Sequence, residues 1–200
     1  MFYPPKLIGH RGVKNLSPEN TLDSIRLASQ LGLTWVEIDV KISKDFIPIL
    51  LHDDSLDRTT NGRGFPYKLN YNELIKLDAG YFFYNYQTKI YIPKLKEVLD
   101  FCQINKMGLN IELKLNLGFE KQSIKAISEI LKKYNYKIPY YFSSFDINSI
   151  ILMKKIMPEA FYGFLIDDFN EYNLVDILQI CKKYNLFCLG LNKKIASSEI

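Results

Sequence analysis

Histidine is scarce in this chain: two in 200 residues, His10 and His52. A catalytic mechanism that needs a crowd of imidazoles is therefore excluded. Cysteine is nearly as rare. Cys102, Cys181 and Cys188 are odd in number and have no close pair, which argues against a disulfide framework. Each lies in an apolar stretch, so buried free thiols are expected. No apolar run approaches the ~18 residues of a membrane span. The opening Met1-Phe2-Tyr3-Pro4-Pro5-Lys6 shows no basic-then-apolar secretion signal. A cytoplasmic location is the resulting expectation. The formal charge of +4 comes from scattered lysines rather than a basic stripe, which argues against a nucleic-acid partner. Also missing are Gly-x-Gly-x-x-Gly, the phosphate loop Gly-x-x-x-x-Gly-Lys-Ser/Thr, the Gly-x-Ser-x-Gly elbow and any His-x-His pair. Nucleotide cofactors and serine-hydrolase chemistry lose support with them.

What is present alternates. Strand-like runs fall at 6–9, 35–40, 47–51, 109–115, 139–143, 161–165 and 187–191. Helical patterns fall at 18–31, 94–106, 119–134, 146–156 and 171–184. Such alternation predicts an α/β fold with a parallel sheet and crossover helices. Ser17 is the expected cap of the first helix, with Pro18 at its first position and Gly32 after its last turn. Gly108 is expected just past the helix at 94–106. Residues 54–92 interrupt the alternation as an excursion, with one short helix near 72–78. Its run Tyr81-Phe82-Phe83-Tyr84-Asn85-Tyr86 is expected to pack the excursion on itself, in preference to forming a substrate lid.

The polar residues that interrupt or close these runs carry the chemistry. Residues two apart in a strand share a face, so Glu37 and Asp39 point together, as do Glu112 and Lys114. Two like charges on an apolar strand are costly unless paired. A bound Mg²⁺ or Ca²⁺ answers this, since three carboxylates form a hard oxygen site. A plain Lys114–Glu112 salt bridge, or strands bordering water, answers it equally well. His10 and Arg11 end the first run, and His52 and Asp53 end the third. Arg11 is a natural phosphate fork, beside a glycine that allows close backbone approach. A lone histidine is usually structural, but a second one at another strand end suits acid–base work on two sides of one reaction. Asp53 either orients His52 or starts the loop. Asp45 and Asp54 read as turn residues.

In order along the chain stand Gly9-His10-Arg11-Gly12, Ser17-Pro18-Glu19-Asn20-Thr21, Val36-Glu37-Ile38-Asp39-Val40, Leu51-His52-Asp53, Leu56-Asp57-Arg58-Thr59-Thr60-Asn61-Gly62, Leu77-Asp78-Ala79-Gly80, Ile92-Pro93-Lys94-Leu95, Asn110-Ile111-Glu112-Leu113-Lys114 and Ser143-Ser144-Phe145. This series resembles the glycerophosphodiester phosphodiesterase family. The resemblance implies a TIM-type (β/α)8 barrel with its site at the C-terminal strand ends. It implies a phosphoric diester hydrolase that releases sn-glycerol 3-phosphate and an alcohol from a small-molecule glycerophosphodiester. Glu37, Asp39 and Glu112 would bind a divalent metal, Mg²⁺ or Ca²⁺. His10 and His52 would be the acid–base pair, and Arg11 and Lys114 would hold the phosphate. The nucleophile is either water or the substrate's own hydroxyl. Phe46 departs from the family's usual glycine. Residues 1–200 read as one domain holding the 54–92 insertion after the third strand, with about seven strands and the final helix–strand–helix portion absent. On that reading Ile195 to Ile200 enter the next helix. The alternative function is a truncated, non-catalytic remnant or a phosphodiester-binding module.

Overall fold

The computed structural model describes residues 3–170 and 172–196. Strand β1, Trp35–Ile42, has every residue buried. Alternation splits its side chains between two environments. Val36, Ile38 and Val40 enter the main core with Ile25, Leu95, Leu99, Ile111 and Phe142. Glu37, Asp39 and Lys41 take the opposite face, which becomes the site.

Strands β2 (Pro48–Leu50), β3 (Gly108–Leu113), β4 (Tyr140–Ser144), β5 (Phe161–Ile166) and β6 (Cys188–Leu191) complete one sheet in the order β2-β1-β3-β4-β5-β6. From β1 through β6 neighbouring strands pair in parallel, as the alternation predicted. Glu112 stands beside Asp39 in that register. Gly108 lies just past the helix Leu95–Asn105, as expected, and opens β3. A Cβ there would lie 2.1 Å from the Trp35 ring, so the indole requires a glycine as its floor.

Two expected strands differ from the expectation of about seven. The run at 6–9 forms only one bridge, Gly9 to Val36, because the chain turns away at once through residues 10–17. The run at 47–51 is β2, and it pairs antiparallel with β1. Residues 43–47 are too short to hold the crossover that a parallel neighbour needs, so they make a hairpin. Phe46 holds φ 58° in that hairpin, a left-handed angle that favours glycine. Among the described residues the sheet is not closed, and β2 and β6 are its edges.

The helices are α1 (Leu22–Gln30), α2 (Tyr71–Leu74), α3 (Tyr81–Tyr84), α4 (Leu95–Asn105), α5 (Glu120–Tyr134), α6 (Ile147–Ile156) and α7 (Leu174–Lys183). Ser17 does not cap α1. Thr21 does, accepting from the Ser24 amide at 3.2 Å. The chain between them is bent by Asn20 at φ 56°, a conformation incompatible with helix, and the site explains why. Gly32, at φ 82°, ends the turn after α1 as expected. The expected helix start at residue 171 and the expected entry to a next helix over 197–200 lie outside the described residues. No described helix is long and apolar enough to cross a membrane.

The excursion has its own core. Ile49 and Leu51 pack with Leu56, Tyr71, Leu74, Ala79 and Ile92. It does pack on itself, but not through Tyr81–Tyr86 as expected. α3 buries none of its residues, and its rings pair edge-to-face with one another at the surface. Cys102 is buried, which pushes its thiol up to about 12, whereas Cys181 and Cys188 are only partly buried.

Candidate active site

Three buried carboxylates, Glu37, Asp39 and Glu112, offer ligand atoms that all lie within 4.8 Å of one another. Parallel pairing of β1 with β3 brings them together. Each is tethered through one oxygen. Glu37 Oε2 accepts from the Arg11 amide at 2.8 Å. Asp39 Oδ2 accepts from Asn20 Nδ2 at 2.8 Å, and the Asn20 carbonyl accepts the Asp39 amide in return. Glu112 Oε1 pairs with Lys114 Nζ at 2.9 Å. Burial raises the Glu37 carboxyl well above its usual range, and the charges of Asp39 and Glu112 push it further. Burial and Asp39 raise Glu112, and Lys114 only partly offsets them. Glu37 Oε1 and Asp39 Oδ1 are buried with no hydrogen-bond partner. Buried polar atoms are almost always satisfied, so these two oxygens fit a cation. The salt-bridge alternative is thus present, since Lys114 neutralises Glu112, while one oxygen each of Glu37 and Asp39 keeps no hydrogen-bond partner.

Around this floor lies a cleft of about 840 Å³ that includes His10, Arg11, His52, Glu112 and Lys114. The seven residues singled out from sequence therefore converge. Gly12, at φ 82°, sits against Ser24, where a Cβ would meet the hydroxyl at 2.4 Å. Ser24 Oγ accepts the Val13 amide and donates to the Arg11 carbonyl, which fixes the turn. Arg11 itself holds φ 53°. Such strain persists when its surroundings over-determine it, and it places the guanidinium on the acidic floor. Arg11 Nε approaches Asp39 Oδ2 at 3.2 Å, and Nη1 donates to Glu19 at 2.8 Å.

The imidazoles sit in different surroundings. His10 Nε2 is 3.8 Å from Glu37 Oε2. Burial and then the charges of Arg11 and Lys14 lower it to about 4. His52 Nδ1 is 2.6 Å from Asp53 Oδ1, so Asp53 orients it. Asp45 behaves as a turn residue, accepting from Ser43 Oγ and the Tyr71 amide. Asp54 does more, because its carboxylate neutralises the buried Lys41 at 2.8 Å.

Residue reading alone missed several participants. Asn20 holds Asp39, and Glu19 holds Arg11. Arg58 spans Glu19 and Asp53. Phe145, Tyr172 and Asn192 line the far wall of the cleft. Asn20 alone left a local signal, a polar residue of left-handed tendency before a helix. The others act across long sequence separations.

Fold and site together define a TIM-type α/β protein with a carboxylate floor and flanking cations at the C-terminal strand ends, where such barrels place their chemistry. The chain belongs to the glycerophosphoryl diester phosphodiesterase family, whose sequence model matches residues 10–186. It is 37% identical over 163 residues to a glycerophosphodiester phosphodiesterase of Caldanaerobacter subterraneus, covering 80% of this chain and 65% of that protein. It is 34% identical over 157 residues to human glycerophosphodiester phosphodiesterase 1, covering 78% of this chain and 44% of that protein. The chain thus spans less than two thirds of the length of these curated relatives. Its structure matches an Oleispira antarctica phosphodiesterase solved with the product sn-glycerol-3-phosphate. There the TM-score is 0.90 at 36% identity, over 98% of this chain and 78% of that one.

Proposed function

We propose that this chain is a metal-dependent phosphoric diester hydrolase that converts glycerophosphodiesters to sn-glycerol 3-phosphate and an alcohol. The product bound to the Oleispira relative supports the substrate class. One observation of this chain carries the reading. Two buried carboxylate oxygens without partners lie beside two imidazoles and two cations in a single cleft.

Glu37, Asp39 and Glu112 would hold the cation, Mg²⁺ or Ca²⁺. When bound, it supplies Lewis-acid polarisation of the phosphoryl group. Arg11 and Lys114 offset charge on the non-bridging oxygens as it grows in the transition state. One imidazole takes the proton of the attacking hydroxyl, and the other returns a proton to the leaving oxygen. Asp53 keeps the His52 ring in one orientation for that exchange. Asn20 keeps Asp39 turned to the floor. Residues 1–200 act here as one domain, with the 54–92 insertion forming part of the site.

The test is release of sn-glycerol 3-phosphate from glycerophosphocholine by folded protein, with Mg²⁺, with Ca²⁺ and with chelator. Metal-dependent release is the expected result. Folded protein that releases nothing with either metal overturns the proposal. Phosphorus NMR of the products separates attack by water from attack by the substrate's own hydroxyl, which yields a cyclic phosphate.

A further inference from the structure

Arg58 belongs to the excursion, yet its guanidinium is spent on the rim of the cleft. Nε donates to Asp53 Oδ2 at 2.6 Å and Nη2 to Asp53 Oδ1 at 2.8 Å. Nη1 donates to Glu19 Oε2 at 3.0 Å and Nη2 to Glu19 Oε1 at 2.7 Å. One fork thus engages both oxygens of two carboxylates. The first carboxylate holds His52 Nδ1. The second holds Arg11 Nη1. The result is a continuous chain of charge-assisted contacts, Arg11–Glu19–Arg58–Asp53–His52, that joins the expected phosphate cation to one expected acid–base group.

The backbone beneath Arg58 is fixed on both sides. Leu56 is buried in the excursion core, and its amide donates to the Gly64 carbonyl at 2.8 Å. Thr60 is buried too, its hydroxyl donating to the Leu56 carbonyl at 2.8 Å. Asn61 and Asp78 exchange hydrogen bonds just beyond. A rigid base and a planar fork fix both orientation and distance, which a lysine ammonium cannot do as a point charge. The chain balances two cations against two carboxylates. Without Arg58, Glu19 would keep only Arg11 and Asp53 only His52, and the Asp53 carboxylate would be free to turn.

We propose that Arg58 is a positioning residue: through Asp53 it fixes the ring orientation and tautomer of His52, and through Glu19 it fixes the Arg11 guanidinium. The excursion therefore serves the reaction by presenting this brace. The part of the inference that concerns turnover rests on the hydrolase reading above, and the part that concerns His52 does not.

Two histidines make the test direct, because a His10→Ala background leaves His52 as the sole imidazole signal in nitrogen–proton NMR. The parent protein is expected to show one neutral tautomer, protonated at Nδ1. Arg58→Gln is expected to show a mixture. Arg58→Lys, which keeps the charge, is expected to do the same, and it provides a folded comparison if Arg58→Gln unfolds. With His10 restored, both variants are expected to lose about 10- to 100-fold in kcat, the scale of a misplaced catalytic group. Added guanidinium is expected to recover part of that loss in Arg58→Gly, since the side chain is half exposed. Arg63→Gln, at an arginine in the same excursion with its side chain 88% exposed, is expected to change nothing. Folded Arg58→Lys that keeps a single tautomer and parental kcat overturns the proposal, as does an equal effect of Arg63→Gln. A tautomer change in a protein whose parent releases no product upholds the brace and fails only the hydrolase reading.

Discussion

His10 and His52 reach the same cleft from two differently built regions. His10 follows Gly9, the residue that bridges to β1, and it leans on Glu37, which β1 supplies. Its support is the barrel itself, whose register also sets Asp39 against Glu112. His52 follows β2 and leans on Asp53, which Arg58 of the excursion holds. Burial and neighbouring cations lower His10 to about 4, which favours a neutral ring near pH 7. His52 has instead a carboxylate of its own. Asp53 stays low first because Arg58 donates to it, against burial, and then because His52 does. One half of the site is thus a product of sheet pairing. The other half depends on a loop segment with its own small core. Identical side chains in one cleft are therefore held by different means.

The largest effect should fall on turnover. His10→Ala and His52→Ala are each expected to reduce kcat by ~10² or more, the usual contribution of a positioned acid or base. Steady-state release of sn-glycerol 3-phosphate checks this. Near-parental turnover in either variant breaks the pairing of the two regions in one reaction. The next effect should be on stability and should stay local. Leu74 is fully buried in the excursion core, so Leu74→Ala is expected to cost about 2–5 kcal/mol there. Hydrogen exchange should then quicken at Leu56 and Thr60 while Ile38 and Ile111 remain protected. Equal loss of protection in both places would show that the two regions open as one unit.

How much of this was legible depended on the range of the interaction. β1 was readable because carboxylates two apart in an apolar run have few uses. Asp53 was readable as a partner of His52 because it is adjacent. The cap of α1 was misread at Ser17 because local rules favoured Ser17-Pro18, whereas the site required Asn20 to leave helical geometry and reach Asp39. The orientation of β2 was hidden by a pattern that parallel and antiparallel strands share, and only the shortness of residues 43–47 decides it. Arg58 and Glu19 are 39 residues apart, and no period or motif rule links residues at that distance. The barrel half was thus mostly local information, and the bracing half was not.

A smaller effect concerns the acid limb of the rim. Burial acts to raise the Glu19 carboxyl, but hydrogen bonds from Arg58 and Arg11 outweigh it and bring it down to about 2 from a usual 4.5. A depressed carboxyl adds stability that is fully present above the unfolded value. That stability fades as pH falls through the folded value. Parent and Glu19→Gln are therefore expected to differ in melting temperature by a constant amount above about pH 4.5. The difference should shrink as pH falls from there toward 2. A difference that persists undiminished at pH 2 would mean that Glu19 supports the rim by packing rather than by charge.

The smallest effect is expected at the exposed aromatic run. Phe82 is 48% exposed and packs edge-to-face on Tyr81, outside the core formed by Leu56, Tyr71 and Leu74. Phe82→Ser is accordingly expected to change stability by no more than about 0.5 kcal/mol. Denaturant melts of this variant beside Leu74→Ala measure how unequally the excursion spreads its support. Phe82 and Phe83 also border Glu19 and Arg58 in a pocket of about 160 Å³. If Phe82→Ser leaves stability alone but raises KM, the run acts on the substrate's alcohol portion and the lid reading returns. If it destabilises as much as Leu74→Ala, the surface rings belong to the excursion core after all.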